Sequence, residues 1–285
     1  MDQFGSITPA TALILCLIIG PVLYYIRRAR RDHSKIYVRR IPGIDAIDEA
    51  VGRAAELGRP VSFTPGLTTL SPLLYAVLGA LYHVARKTAR YSVRLLVAQN
   101  QPDVMAISDE VIKDAYREEN RLNNFDARNS IYLSDEQFAY AAGYIGMVQR
   151  ENVGSTFLFG YFAAESLILA EAGQQVGAMQ VAASISPEQA TFFITTCDYT
   201  LIGEELFATS AYLTREPVQL GSLYGQDRAK LLFFVSVVVG VLIATWNSYA
   251  GEANSIPNLD YFLELDFYSL LAPLLRLLNP TVYIP

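Results

Sequence analysis

The stretch RPVSFTPGLTTLSPLLYAVLGALYHVARK, Arg59–Lys87, decides how the rest of the chain is read. Val61 to Thr64 has strand character, Pro65-Gly66 is a turn, and Ser71 followed by Pro72 is an N-cap with a first-turn proline opening a helix to about Lys87. Strand, turn and helix in this order make the first crossover of an α/β fold, and in many such folds the turn cradles a phosphate. A cradle needs successive free N–H groups and glycines where the anion approaches. TPGLTTLSP offers one glycine, Gly66, and two prolines without an N–H, and it matches neither G-x-x-x-x-G-K-[ST] nor G-x-G-x-x-G. Thr64, Thr68, Thr69 and Ser71 could supply hydroxyls instead. The plainer reading is a proline-stiffened turn with Gly66 at positive φ.

The same alternation continues on both sides. Ile44 to Leu57 is periodic as a helix ending at Gly58; Val93 to Ala98, Thr156 to Phe159, Ala178 to Ala183 and Thr191 to Thr196 are expected strands. Helices are expected from Ser108 to about Glu119, from a capping box at Ser134 and Gln137 through Gln149, over Ala163 to Ala172, and from Asp198 to Leu213, with a short helix or turn at Ser186-Pro187-Gln189. The expected fold class is α/β, a largely parallel, Rossmann-like three-layer domain. TFLFGYFAAESLILAEAG and TFFITTCDYTLIGEELFATS resemble each other loosely, no more than any two strand-helix units do.

The chain of 285 residues is 52% hydrophobic with mean hydropathy +0.25, too apolar for an ordinary soluble protein. The excess lies in two charge-free runs, Ile7–Ile26 and Leu231–Ala250, each long enough for a hydrocarbon core of about 30 Å. Only Asp2 precedes the first run, and Tyr24, Tyr25 and arginines follow it, which is the pattern of an uncleaved anchor rather than a signal peptide. Arg27, Arg28, Arg30 and Arg31 after the first run, with Arg228 and Lys230 before the second, place the intervening segment in the cytoplasm and both termini outside. That arginine run could also hold anionic lipid, though a topology signal is the plainer reading. The expected division is an anchor at 1–31, a cytoplasmic α/β domain at 32–229 between two transmembrane helices, a second span at 230–250 and an extracytoplasmic tail at 251–285 in a bacterial inner membrane.

A net charge of −6 argues against nucleic acid as a partner. Two histidines and two cysteines form no spaced metal cluster, and no cofactor or metal site is expected. If a ligand binds, the carboxyl ends of the strands are the place, and the candidates are Thr64, Gly66, Thr68, Thr69 and Asp198. Asp198 could meet a ribose or a cation, or cap the helix after it. Cys197 could be a nucleophile but has no histidine near it in sequence. Glu165 with Glu171, and Glu204 with Glu205, read as solvated stripes because neither spacing aligns them on one helical face. Ser236, Gly240 and Ala244, at four-residue spacing, are the candidate helix-packing residues of the second span. The tail Tyr261–Leu278, apolar but carrying Glu264, Asp266 and Arg276, fits an interfacial segment that meets lipid or other membrane proteins.

The layout of the two runs and the stretch IPGIDAIDEAVGRAAELGRPVSFTPG, Ile41–Gly66, resembles an uncharacterised family of bacterial two-span membrane proteins known only as a domain of unknown function. The resemblance implies no activity and no site residues. The residues point first to a homo-oligomeric membrane scaffold without catalytic activity, and second to a membrane-tethered sensor or enzyme binding a nucleotide or small molecule. A channel would need a multimeric pore lined by uncharged residues.

Overall fold

A computed structural model describes residues 9–31, 42–214 and 217–250. They form two compact units, one drawn from Tyr37–Glu216 and the other from Met1–Ile36 with Pro217–Pro285.

The larger unit is a three-layer α/β/α sandwich. Its elements run α2 (Pro42–Leu57), β1 (Val61–Gly66), α3 (Pro72–Tyr91), β2 (Leu95–Gln99), α4 (Pro102–Glu118), β3 (Ser130–Tyr132), α5 (Gln137–Glu151), β4 (Ser155–Tyr161), α6 (Ser166–Gln175), β5 (Met179–Ser184), α7 (Pro187–Thr196), β6 (Tyr199–Ile202) and α8 (Glu205–Thr214). All six strands are parallel, in the order β3-β2-β1-β4-β5-β6. The order reverses between β1 and β4, consistent with a Rossmann-like doubly wound sheet. Both faces are covered, so the central strands are buried along nearly their whole length. On one face Phe63, Phe157 and Phe159 pack with Ile47, Val51, Leu81 and Val84; on the other Leu96, Leu158 and Ala182 pack with Tyr140, Tyr144, Leu169 and Phe193. Each such large side chain contributes roughly 1.5–3 kcal/mol by leaving water.

The expected strands at Val61, Val93, Thr156 and Ala178 are β1, β2, β4 and β5. Thr191 to Thr196 is not a strand: the Ser186-Pro187 start opens a helix, α7, that runs through it, and Phe193 is buried edge-on against Phe162 at 5.2 Å. Burial of that ring outweighs the β propensity of the run. The last strand is Tyr199–Ile202, inside the stretch expected to be helical from Asp198, and the helix begins only at Glu205. The two loosely similar segments are therefore strand-helix and helix-strand-helix, not repeats. Ser108 is buried inside α4, which starts six residues earlier behind Gln101, where Pro102 is already set for a first turn. β3 has three residues, too short to leave a periodic signal.

The smaller unit contains α1 (Pro9–Arg31) and α9 (Pro217–Ala250). The latter is one unbroken helix of 34 residues, about 50 Å long, that runs across the domain boundary expected at residue 229. α1 and α9 pack where α9 has no side chains. A Cβ on Gly221 would lie 2.7 Å from the Ile26 Cα, and one on Gly225 would lie 2.5 Å from the Val22 Cα. This Gly-x-x-x-Gly spacing brings the two backbones into contact. Among the described residues no helix is long and apolar enough to cross a membrane. The described side chains of α9 from Leu231 to Leu242 carry no charge, and most of the large ones are exposed. The charge-free sequence continues to Ala250 through several side chains outside the described set. The tail from 251 onward, with its expected interfacial segment, also lies outside the described residues.

Candidate functional site

The reversal of strand order places a crevice above the carboxyl ends of β1 and β4, where doubly wound sheets bind their ligands. Here the chain stitches that crevice shut. Gly66 takes φ 63°, and a Cβ there would lie 2.5 Å from the Tyr161 carbonyl oxygen. The Leu67 N–H donates to that oxygen at 2.9 Å. The Thr68 hydroxyl, fully inside, donates to the Pro65 carbonyl at 2.5 Å and accepts the Tyr161 N–H at 2.8 Å. Gly160 meets it from the other side: a Cβ there would lie 2.2 Å from the Pro65 carbonyl oxygen and 2.4 Å from the Thr68 Oγ1.

Three successive backbone donors of the loop are thus already committed. Gly66 N–H donates to the Thr64 Oγ1 at 3.1 Å, Leu67 N–H to Tyr161, and Thr68 N–H to Pro65 at 3.3 Å. What remains is a shallow cleft of about 360 Å³ lined by Leu67, Thr68, Thr69, Ser71, Leu73 and Tyr161, closed further by Pro72, Ile185 and Phe207. None of these residues is charged. The cleft suits a neutral or apolar group and offers nothing to balance a phosphate.

The sequence-derived candidates do not assemble into one site. Thr64, Gly66, Thr68 and Thr69 lie together at the carboxyl edge, but only Thr69 is exposed. Asp198 precedes β6 and accepts the Gln180 N–H at 2.7 Å near the start of β5. In a parallel sheet that is the amino edge, opposite the crevice, and Asp198 caps no helix. The misplaced strand at Thr191–Thr196 accounts for the difference, since it put Asp198 after a strand rather than before one. Cys197 shares that edge, and burial pushes its thiol up to about 12, far from the thiolate a nucleophile needs.

A polar layer that spacing arguments missed lies beneath the crevice. Tyr140 and Tyr144, both fully buried on α5, meet the Thr64 hydroxyl and, at 3.1 Å, the Ser62 hydroxyl. Glu165 is no solvated residue: it is fully buried, accepting the Ala163 N–H at 3.0 Å and the Gln137 amide at 2.5 Å. Glu171 is exposed as expected. Burial pushes both phenols above their ordinary range, overriding the lowering effect of their hydroxyl partners. They act as neutral cross-links between sheet and helix. The one available signal was the Tyr140-x-x-x-Tyr144 spacing, which puts two hydroxyls on the buried face of α5. Gln99, at the end of β2, is also fully buried, and neither polar atom of its side chain has a hydrogen-bond partner.

In the smaller unit, Ser236 is exposed and returns its hydroxyl to the Leu232 carbonyl at 2.9 Å, and nothing lies within 4 Å of a Cβ built on Gly240. The Ala244 side chain is outside the described residues. The contact with α1 is instead at Gly221 and Gly225. Among the described residues no group of three or more histidine, cysteine or carboxylate side chains could hold a metal ion.

No curated protein and no solved structure matches the chain. One family model does match, over residues 2–254, and by that match the chain belongs to the family described as Domain of unknown function (DUF6754).

Proposed function

We propose that this chain is an integral membrane protein of a bacterial inner membrane that assembles with copies of itself into a scaffold, its α/β domain facing the cytoplasm. The observation that carries the reading is the bare apolar surface of α9. Leu231, Phe234, Val235, Val241, Leu242 and Trp246 are each at least half exposed, and patches of this kind are covered by lipid or protein. The uncharged run of Leu231–Ala250 supports it, as does the positive charge flanking both runs in the sequence. The open stripe at Ser236 and Gly240 leaves room for a second α9 to approach.

Alkaline carbonate extraction of membranes tests the first half, and mass photometry in native nanodiscs the second. Recovery in the membrane pellet and a discrete protein mass of several times 31.5 kDa, after subtraction of the empty disc, fit the proposal. Extraction into the supernatant, or monomers alone, rejects it. A second reading, a tethered sensor or enzyme, is favoured by the cleft beside Thr69 and Tyr161 at the strand reversal. Its test is a thermal-shift panel of neutral small molecules: saturable stabilisation that a Leu73→Trp variant abolishes supports it, and a flat panel rejects it.

A further inference from the structure

The α1–α9 pair holds a second concavity, of about 440 Å³. Gly20, Pro21, Leu231 and Leu232 line it, all belonging to the uncharged runs. It is open because Gly20 has no side chain: a Cβ built there meets nothing within 4 Å. At its mouth stand Tyr24, Tyr25 and Arg228. The guanidinium of Arg228 lies 5.1 Å from the centre of the Tyr224 ring and donates to the Tyr224 hydroxyl at 2.7 Å. Tyr224 is in turn held edge-on by Tyr25 at 4.8 Å, and Tyr25 by Tyr24 at 5.1 Å. Three aromatic rings thus fix one cation above an apolar notch.

The surrounding charge is mostly positive. Arg27, Arg28, Arg30 and Arg31 are exposed on the last turns of α1, and the single carboxylate of the adjoining α9 turn is the exposed Asp227. We infer that this groove binds an anionic phospholipid, its phosphate on Arg228 and its acyl chain over Gly20, Leu231 and Leu232. The inference rests on the membrane reading proposed above and gives that membrane a chemical preference. A phosphodiester matches a guanidinium in geometry as well as charge, and an acyl chain matches the uncharged part of the groove. A free phosphate would leave the apolar half empty.

The test is native mass spectrometry of the full chain in mild detergent with equal amounts of dioleoylphosphatidylglycerol and dioleoylphosphatidylcholine. The wild type carries the anionic lipid about fivefold in excess, and Arg228→Gln removes that excess. Gly20→Leu, whose Cβ meets nothing within 4 Å, fills part of the groove and lowers occupancy by both lipids. Arg31→Gln, outside the groove, leaves the preference in place. Equal binding of the two lipids, retention of the preference in Arg228→Gln, or displacement of the lipid by inorganic phosphate overturns the inference. Carbonate extraction of the same proteins separates the two failures. A wild type in the pellet without lipid preference sinks only the groove, whereas a wild type in the supernatant sinks the membrane reading with it.

Discussion

Two seams in this molecule use glycine to bring backbones into contact, and they end differently. At the β1–β4 seam, Gly66 and Gly160 let the carboxyl ends of the two strands close over the crevice, and the Thr68 hydroxyl ties them together from inside. At the α1–α9 seam, Gly221 and Gly225 seat one helix on another, and beyond the contact the helix stays bare. The first seam uses up its polar groups on itself. The second leaves apolar side chains such as Leu231, Phe234 and Leu242 exposed. The comparison teaches that strand order alone does not make a nucleotide site: the same reversal that opens a crevice elsewhere is here a structural joint.

Breaking the first seam is expected to have the largest effect. Gly160→Val must displace the Pro65 carbonyl and the Thr68 hydroxyl from a backbone at φ 149°, and is expected to cost at least about 3 kcal/mol. Calorimetry of the α/β transition should show its melting temperature falling by roughly 6–12 °C. A shift of under two degrees would mean that the seam does not hold the sheet's centre.

Breaking the second seam should stay local. Gly225→Leu cannot coexist with Val22 at its present distance, so amide exchange in α1 and α9 should rise at least about tenfold while β1 and β4 keep their protection. Loss of protection in the sheet would contradict the division into two units.

The polar layer under the first seam sharpens the contrast. Tyr140→Phe leaves the buried Thr64 hydroxyl with one partner fewer and should cost about 1–2 kcal/mol, read as a shifted denaturation midpoint at unchanged slope. Because burial raises the Tyr140 and Tyr144 phenols, their contribution is fully present below pH about 10, the ordinary phenol value. It is lost as the pH climbs above that, where the unfolded chain ionises and the folded one resists. Stability measured from pH 9 to 11 should fall less steeply when both tyrosines are phenylalanine. The smallest effect is expected at Thr69, exposed on the cleft rim, where alanine should change stability by less than about 0.5 kcal/mol.

The strands buried on both faces were the most legible part of the chain, because VSFT, LLVAQ and TFLF are short apolar runs between turn residues. The sheet's edges were not legible. β6 is four residues with Tyr199 and Ile202 exposed, and the more β-prone TFFITT beside it is captured by a helix because Phe193 has a cavity to fill. That one exchange moved Asp198 from one edge of the sheet to the other and took a candidate ligand residue with it. Glu165 was misread for a related reason. Spacing along a helix tells which side chains share a face, but not that the first turn of α6 is buried against α5, where Gln137 waits for a carboxylate. The Gly221 and Gly225 contact lies before the apolar run, so a search for packing residues confined to that run passes over it.

One consequence follows for how this sequence can drift. Gly221, which must face α1, and Leu231, which opens the bare surface, sit on the same unbroken helix, and the number of residues in Gln226–Lys230 sets the rotation between them. Each residue in a helix advances the face by about 100°. Descendants of this chain can exchange exposed spacer residues such as Gln226, but a gain or loss of a single residue would rotate everything beyond it by more than a quarter turn, Arg228 included where the change precedes it. In an alignment of relatives, the spacer should therefore keep a cation at Arg228, vary at exposed positions such as Gln226, and show no gaps.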